Sequence, residues 1–240
     1  MKQNFLTAEW RKLAIANYVV DETILRPFVP FKTEIDKWNG LCYVSLVGFR
    51  FVNTRVRGFA IPFHTHFEEI NLRFYVHYKE NDVWKRGVTF IKEIVPRHAI
   101  TFVANTFYKE KYITLPTRHR WQIEDGLINV SYHWKLNNRW NNFSVTADNQ
   151  AHEIGIGSEA EFITEHYWGY TPINNISCSQ YEVRHPRWKV YNVTENLIDV
   201  SFEKLYGAEF AFLDREKPAS VMLAEGSEIS VCAKQKIVQH

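Results

Sequence analysis

Residues 69–78 read Glu-Ile-Asn-Leu-Arg-Phe-Tyr-Val-His-Tyr, a strict alternation of polar and apolar side chains. Successive side chains of a β-strand point to opposite faces of its sheet, so one face of this strand is apolar core. The other face is made of polar side chains, namely Glu69, Asn71, Arg73, Tyr75 and His77. Two interpretations of that face stay open: ordinary solvated surface, or the polar wall of an internal lumen.

Further strands are predicted along most of the chain. Apolar and β-branched runs predict them at 13–20, 41–52, 87–95, 128–135, 142–147, 181–184, 188–193, 198–202, 209–212 and 227–233. Short helices are predicted after the N-cap Asp21 and, from the capping box of Ser158 and Glu161, over about 159–167. A third helical stripe follows Pro96 and consists of Ile100, Val103, Ala104 and Phe107. Without a repeat or linker, residues 1–240 are predicted to form a single, mainly β (α+β) domain.

Composition and charge exclude several classes of function. Of the 240 residues 45% are hydrophobic and 15% aromatic, which suits both a packed core and an aromatic-lined pocket. Lys and Arg number 29 against 27 Asp and Glu, so the field expected of a nucleic-acid-binding protein is absent. The longest apolar stretch, 41–51, is too short to cross a bilayer, and residues 1–10 lack the apolar core of a signal peptide. We expect a cytoplasmic protein with no nucleic-acid or membrane partner.

Metal and cofactor motifs are weak or missing. His64 and His66 alternate on one segment, but no third histidine follows at a zinc-like spacing, so no metal site is predicted. Three cysteines, Cys42, Cys178 and Cys232, are too widely spaced for a disulfide framework or a thiolate site. Phosphate-binding and dinucleotide fingerprints are absent, and no cofactor is predicted.

Several blocks of sequence, spread in order over nearly the whole chain, carry a resemblance to a known family. They are Glu9-Trp10-Arg11, Tyr43-Val44-Ser45-Leu46-Val47-Gly48-Phe49, Asn71-Leu72-Arg73-Phe74-Tyr75-Val76, Arg86-Gly87-Val88, Glu93-Ile94-Val95-Pro96-Arg97, His166-Tyr167-Trp168-Gly169-Tyr170 and the segment 220–227. The chain resembles the YqjF-like family, a bacterial domain family of unknown function, DUF2071.

A more distant resemblance is to acetoacetate decarboxylase, on Leu25-Arg26, Val29-Pro30 and Glu34-Ile35-Asp36. It implies antiparallel sheets curled into a barrel-like, cavity-containing fold with a few peripheral helices. The decarboxylase family forms homo-oligomers, and by analogy a homo-oligomer is the expectation for this chain.

The chemistry of the decarboxylase is not expected to carry over. That enzyme forms a Schiff base through a lysine in a Pro-Lys-Lys segment, and the matching stretch here reads Pro96-Arg97-His98. A guanidinium stays protonated and forms no imine. Two of the enzyme's pocket glutamates correspond to Ser45 and to the neighbourhood of Val56. What the resemblance leaves is a pocket for a small organic molecule, suited to a carboxylate or another polar anion, whose ligand-binding residues are Arg11, Arg73, Glu93 and Arg97.

Three alternatives remain open at the level of sequence. Glu93 and an arginine can simply pair to satisfy each other in the core. A lyase or decarboxylase acting on a keto acid or related organic acid can use a relocated lysine, for which Lys92 is the nearest candidate. Strand alternation, however, sends Lys92 and Glu93 to opposite faces. Finally, aromatic side chains can fill the cavity of a purely structural module, and whether there is any catalysis stays undecided.

Overall fold

The structure is a computed structural model that describes residues 4–103, 105 and 111–239. Fourteen strands make up most of it: β1 (Asn4–Val20), β2 (Glu34–Ile35), β3 (Cys42–Val56), β4 (Phe67–Glu80), β5 (Val83–Val95), β6 (Tyr112–Thr114), β7 (Thr117–Glu124), β8 (Leu127–Leu136), β9 (Arg139–Glu153), β10 (Trp168–Asn174), β11 (Ser177–Arg184), β12 (Lys189–Asp199), β13 (Ser220–Cys232) and β14 (Gln235–Val238). The α-helices are α1 (Glu22–Leu25), α2 (His98–Val103), α3 (Glu159–Thr164) and α4 (Phe202–Tyr206), and two 3-10 helices cover Arg26–Phe28 and Ala208–Asp214. In the described part of the chain, no helix is long and apolar enough to span a bilayer.

All fourteen strands belong to one curled sheet, whose main path runs β14-β11-β10-β5-β4-β3-β1-β13-β12-β9-β8-β7. An additional pairing of β11 with β13 returns the ladder on itself, so that β1, β3, β4, β5, β10, β11 and β13 surround a common interior. The mainly β class is confirmed. The sheet is nevertheless mixed, because β5 pairs in parallel with β6 and β10. A strand that pairs in parallel with an earlier one must be reached by a crossover connection instead of a tight hairpin. Both β6 and β10 are connected to β5 in this way.

The central strands are buried on both faces. Their buried hydrophobic side chains form two clusters, one on each face. On β1, Ala14 and Ala16 belong to the first cluster, whereas Leu13 and Ile15 belong to the second. The first cluster lies between the outer face of the central strands and the layer formed by β7–β9, α4 and the second 3-10 helix. The second cluster lies inside the ring of strands. Burial on two faces explains the near-continuous apolar run of β3.

A β-bulge in β5 decides which of its side chains face the interior. The register passes from Leu72 opposite Lys92 to Arg73 opposite Phe90, so β5 contains one extra residue at this point. Phe90 and Glu93 are three positions apart and would face opposite sides of a regular strand. The bulge places both of them on the inner face.

Two of the predicted strands near the C-terminus are wrong in part or in whole. The segment 209–212 belongs to the 3-10 helix, in which Phe210 and Leu213 are one turn apart and pack together into the first cluster. Short apolar runs do not distinguish a strand from a buried helical turn. The strand predicted to reach residue 202 ends at Asp199, and the backbone N–H of Phe202 donates to Oδ1 of Asp214 (2.6 Å) to begin α4.

The predicted helices are confirmed in position, and the one predicted over about 159–167 is shorter than expected. The helix that follows Ser158 ends at Thr164, because the next residues lead directly into β10. In the stripe after Pro96, Ala104 and Phe107 lie outside the described residues.

Gly87 is a sensitive point of the ring, where β5 meets β10. A Cβ at this position would lie 2.4 Å from the carbonyl oxygen of Trp168 and 2.6 Å from the ring of Tyr170. We expect Gly87→Ala to lower the free energy of unfolding by roughly 1–3 kcal/mol, because β5 and β10 must move apart. Chemical denaturation measures the effect. The control is Gly155→Ala, whose new Cβ would have its nearest neighbour at 3.9 Å; equal stability of the two variants would contradict this packing.

Candidate functional site

The ring of strands encloses a cavity of about 230 Å³. This volume is just below the roughly 300 Å³ at which pockets for drug-sized ligands begin, so it suits a small metabolite. Most of its wall is aromatic or aliphatic, including Phe51, Phe67, Val88, Phe90 and Trp168. Aromatic side chains therefore line the cavity without filling it, which argues against the purely structural reading.

The polar face of β4 is the wall of this interior. Glu69, Asn71, Arg73 and Tyr75 are all buried, and Glu69 and Arg73 line the cavity directly. Of the two interpretations that the sequence left open, the internal wall is the one observed. The face is buried because β11 and β13 close the ring opposite β4.

Arg73 is a buried cation that forms no ion pair with another of the described residues. Only 8% of the surface of Arg73 is exposed, and its Nε has no hydrogen-bond partner in the described part of the chain. None of the ion pairs between described residues includes its guanidinium, whose Cζ lies 5.8 Å from the ring centroid of Tyr75. A buried charge is costly unless it is paired, so this guanidinium is poised to bind an anion.

Glu69, on the same face of β4, is a buried carboxyl group. Its Oε1 accepts from Nδ2 of Asn71 (3.0 Å), and its Oε2 accepts from the hydroxyl of Tyr112 (2.9 Å). Burial raises the pKa of Glu69 to about 7, although both hydrogen bonds and the charge of Arg73 oppose the rise. A large share of Glu69 is consequently neutral near pH 7, and it offsets the charge of Arg73 only in part.

His166 lines the cavity from the link between α3 and β10, and it is held by Asp36. Its Nε2 lies 3.1 Å from Oδ2 of Asp36, which also accepts from Nε of Arg86 (2.7 Å). Burial alone would raise the pKa of Asp36, but the hydrogen bonds from His166 and Arg86 lower it to about 2. Burial lowers the pKa of His166 to about 4. At neutral pH the pair is therefore a carboxylate and a neutral imidazole.

A buried hydrogen-bond chain holds Tyr75 beside these groups. The hydroxyls of Tyr75 and Ser45 are 2.7 Å apart, and the Ser45 hydroxyl donates to Oδ1 of Asn17 (2.6 Å). Nδ2 of Asn17 donates to Ser220 (2.9 Å), whose hydroxyl donates to Glu159. Ser45 is thus a structural link between Tyr75 and Asn17.

The four sequence-predicted ligand-binding residues do not come together. Arg73 and Glu93 both line the cavity. Arg11 lies outside the lining and pairs with Glu9 (2.7 Å). Arg97 is exposed and likewise lies outside the lining, because the chain leaves the ring at the end of β5.

Lys92 lies on the opposite face of β5 from Glu93. Its Nζ donates to the backbone carbonyl of Leu205 on α4, and burial lowers its pKa. The described residues that line the cavity include no lysine.

The other motifs singled out in the sequence form no metal centre in the described part of the chain, where no three potential ligands converge. His64 lines the cavity, with its Nδ1 2.8 Å from the carbonyl oxygen of Pro62. His66 accepts instead from the backbone N–H of Asn53 (3.3 Å). The cysteines Cys42, Cys178 and Cys232 are buried thiols.

Sequence reasoning missed Tyr112, Asp36 and His166 as parts of the site. His166 stands in a block that carries the family resemblance and Asp36 in the segment that resembles the decarboxylase, but the two are 130 residues apart in the chain. Nothing in the sequence pattern alone pairs them.

Comparison with known proteins gives a family and a fold. Residues 7–228 match the DUF2071 family, described as "Uncharacterized conserved protein". "Uncharacterized protein YqjF" of Bacillus subtilis (strain 168) is 35% identical over 104 residues, which are 43% of this chain and 41% of that protein. The aligned part thus spans about two fifths of that relative's length.

Solved structures of low sequence identity share the architecture. Acetoacetate decarboxylase from Legionella pneumophila is 12% identical with a TM-score of 0.66, over 97% of this chain and 87% of that one. The enduracididine biosynthesis enzyme MppR complexed with pyruvate is 11% identical with a TM-score of 0.68, over 96% of this chain and 90% of that one. The curled sheet is therefore the acetoacetate-decarboxylase-like fold.

The raised pKa of Glu69 should make the free energy of unfolding depend measurably on pH. Its pKa is raised from 4.5 to about 7 by folding, so its contribution to stability is present below pH 4.5 and is lost as the pH rises to about 7. We expect Glu69→Gln to gain stability relative to the wild type over that range, by a few kcal/mol at about 1.4 kcal/mol per pKa unit. Urea unfolding at pH 4.5, 5.5, 6.5 and 7.5 measures the difference. The lowered pKa of His166 gives the opposite pH dependence of stability. Because the wild type and Glu69→Gln both contain His166, its contribution cancels in their stability difference.

The control for this experiment is Glu124→Gln, which changes an exposed carboxylate on β7. Its stability difference from the wild type should stay constant over the same range. A constant difference for Glu69→Gln as well would show that Glu69 is ionised as easily in the fold as in the unfolded chain.

Proposed function

Since the chain belongs to the DUF2071 family of uncharacterized conserved proteins and has the acetoacetate-decarboxylase-like fold, we propose that its cavity binds a small organic carboxylate, with the anionic group held by Arg73. The observation that carries this proposal is the buried guanidinium of Arg73, whose Nε has no hydrogen-bond partner and which forms no ion pair among the described residues, in an otherwise largely apolar cavity. A guanidinium offers paired N–H donors that match a carboxylate, and such hydrogen bonds are stronger than those between neutral groups.

The charges around Arg73 leave room for an external anion. Burial already favours the neutral form of Glu69, the buried carboxyl group on the same face of β4, so that group is a poor permanent counter-ion. Asp36 is ionised but is engaged by Arg86 and His166. Glu93 lines the same cavity, and we place it against a polar group of the ligand other than the carboxylate.

The apolar wall accommodates the rest of the ligand. Phe51 and Phe67 stack with ring centroids 4.5 Å apart, and Trp10 packs edge-on against Phe51 at 5.9 Å. All three side chains line the cavity. Nε1 of Trp10 and Oγ1 of Thr54 are buried without partners among the described residues, so they can contact a polar group of the ligand. An aromatic or branched aliphatic carboxylic acid fits this combination.

The pyruvate complex of MppR supports a small carboxylate ligand, since that protein binds one on a similar fold. Imine chemistry through Lys92 has no support from the structure, because its amine contacts Leu205 on the far side of β5. The proposal is therefore a binding function, and it does not invoke a covalent step.

A single substitution, Arg73→Met, tests the proposal through two measurements. Calorimetric titration with pyruvate, acetoacetate and phenylacetate should give binding to the wild type, and no binding of the uncharged phenylacetamide. The variant should bind the carboxylates about tenfold to a hundredfold more weakly, since a hydrogen bond to a charged group contributes roughly 1.5–3 kcal/mol. Without ligand, the variant should be more stable than the wild type by roughly 1–4 kcal/mol, because an unpaired buried charge is removed.

Arg97→Met is the matched control, since Arg97 is exposed and lies outside the cavity lining. It should bind the carboxylates as the wild type does. Wild-type affinity in Arg73→Met, or a loss of affinity in Arg97→Met alone, would contradict the proposal.

A further inference from the structure

The hydrogen bond between His166 and Asp36 fixes the tautomer of the imidazole. Asp36 is ionised at neutral pH, and a carboxylate only accepts hydrogen bonds. Nε2 of His166, which lies 3.1 Å from Oδ2 of Asp36, must therefore carry the hydrogen. The neutral ring then has a lone pair on Nδ1 and no hydrogen there.

Nδ1 of His166 is a buried acceptor that the described residues leave unsatisfied. Its ring is held between Tyr75 (centroids 4.8 Å apart) and Phe162 (5.1 Å), so it cannot readily rotate toward another partner. Leaving a buried acceptor without a donor is costly, and native structures rarely do so without a reason. Because His166 lines the cavity, a ligand in the cavity can supply the hydrogen-bond donor that Nδ1 lacks.

Arg73 and His166 lie beside the same side chain, Tyr75. The guanidinium is 5.8 Å from the centroid of the Tyr75 ring and the imidazole centroid is 4.8 Å from it. One small molecule can therefore reach both groups. The guanidinium of Arg73 only donates hydrogen bonds, whereas Nδ1 of His166 only accepts them.

We infer that the ligand carries, besides its carboxylate, a hydroxyl group that donates to Nδ1 of His166, which makes a hydroxycarboxylic acid the ligand class. The inference rests on the proposed carboxylate site at Arg73. A keto acid of the same skeleton is disfavoured, because its carbonyl oxygen and Nδ1 are both acceptors. A site built to hydrogen-bond a hydroxyl also rejects the analogue that lacks it. Asp36 is a positioning residue, since it acts only by holding the tautomer.

Three ligands of one skeleton test this inference: mandelate, phenylglyoxylate and phenylacetate, which carry a hydroxyl, a carbonyl or neither next to the carboxylate. One enantiomer of mandelate should bind the wild type about tenfold tighter than either analogue. His166→Phe, which keeps a flat ring of similar size, should lose this preference and still bind phenylacetate. Asp36→Asn should reduce the preference more than the affinity for phenylacetate, because an amide no longer requires the Nε2 hydrogen.

A measurement on the wild type keeps the test independent of how the variants fold. Nitrogen-15 NMR of the imidazole of His166 at neutral pH should show a hydrogen on Nε2 and none on Nδ1. A hydrogen on Nδ1, or equal affinity for the three ligands while Arg73 still binds them, would overturn this inference and leave the proposed function intact. Failure of every carboxylate to bind would overturn both.

Discussion

The polar face of β4 has to be satisfied inside the protein, because the pairing of β11 with β13 closes the ring around it. In an open sheet, Glu69, Asn71 and Arg73 would be solvated at little cost. Inside the ring each polar atom needs a partner, and an unpaired one is costly. Glu69 meets this requirement through Asn71 and Tyr112, whereas Nε of Arg73 finds no partner among the described residues. The proposed function follows from that difference.

Under the proposed function, the cavity contains polar groups that lower the stability of the free protein and serve to bind the ligand. Nε of Arg73, Nδ1 of His166, Nε1 of Trp10 and Oγ1 of Thr54 are buried without partners among the described residues, and all four side chains line the cavity. A protein selected for stability alone would replace such groups by apolar ones of similar shape. A ligand that binds only the folded state would recover the loss and couple binding to folding stability.

Much of the fold could be predicted from local patterns. The alternation in residues 69–78 and the apolar runs of β1, β3 and β5 predict strands because side-chain direction in a strand has a period of two. Alternation could not show whether the polar face of β4 is solvated, since that depends on a long-range pairing, Val183 with Val231 and Arg184 with Ser230. The bulge that sends Phe90 and Glu93 to one face is likewise a matter of register and not of composition.

The site could be predicted only in part for similar reasons. Arg73 and Glu93 follow from the strands that carry them, whereas Arg97 sits just beyond β5, where the chain turns outward to α2. Arg11 precedes Lys12, whose backbone has a positive φ of 54° within an irregular stretch of the β1–β3 register. His166 could be recognised as a site residue only through its contact with Asp36, and that contact exists only in the folded chain.

The central claim is that Arg73 holds an anion inside the ring of strands. A crystal structure of the protein grown with 4-bromophenylacetate tests it most directly, since anomalous scattering locates the bromine without ambiguity. We expect bromine among the side chains of Phe51 and Phe67, and the carboxylate within hydrogen-bond distance of the Arg73 guanidinium. Bromine found only outside the ring, or a guanidinium of Arg73 already paired with a carboxylate of the protein, would contradict it.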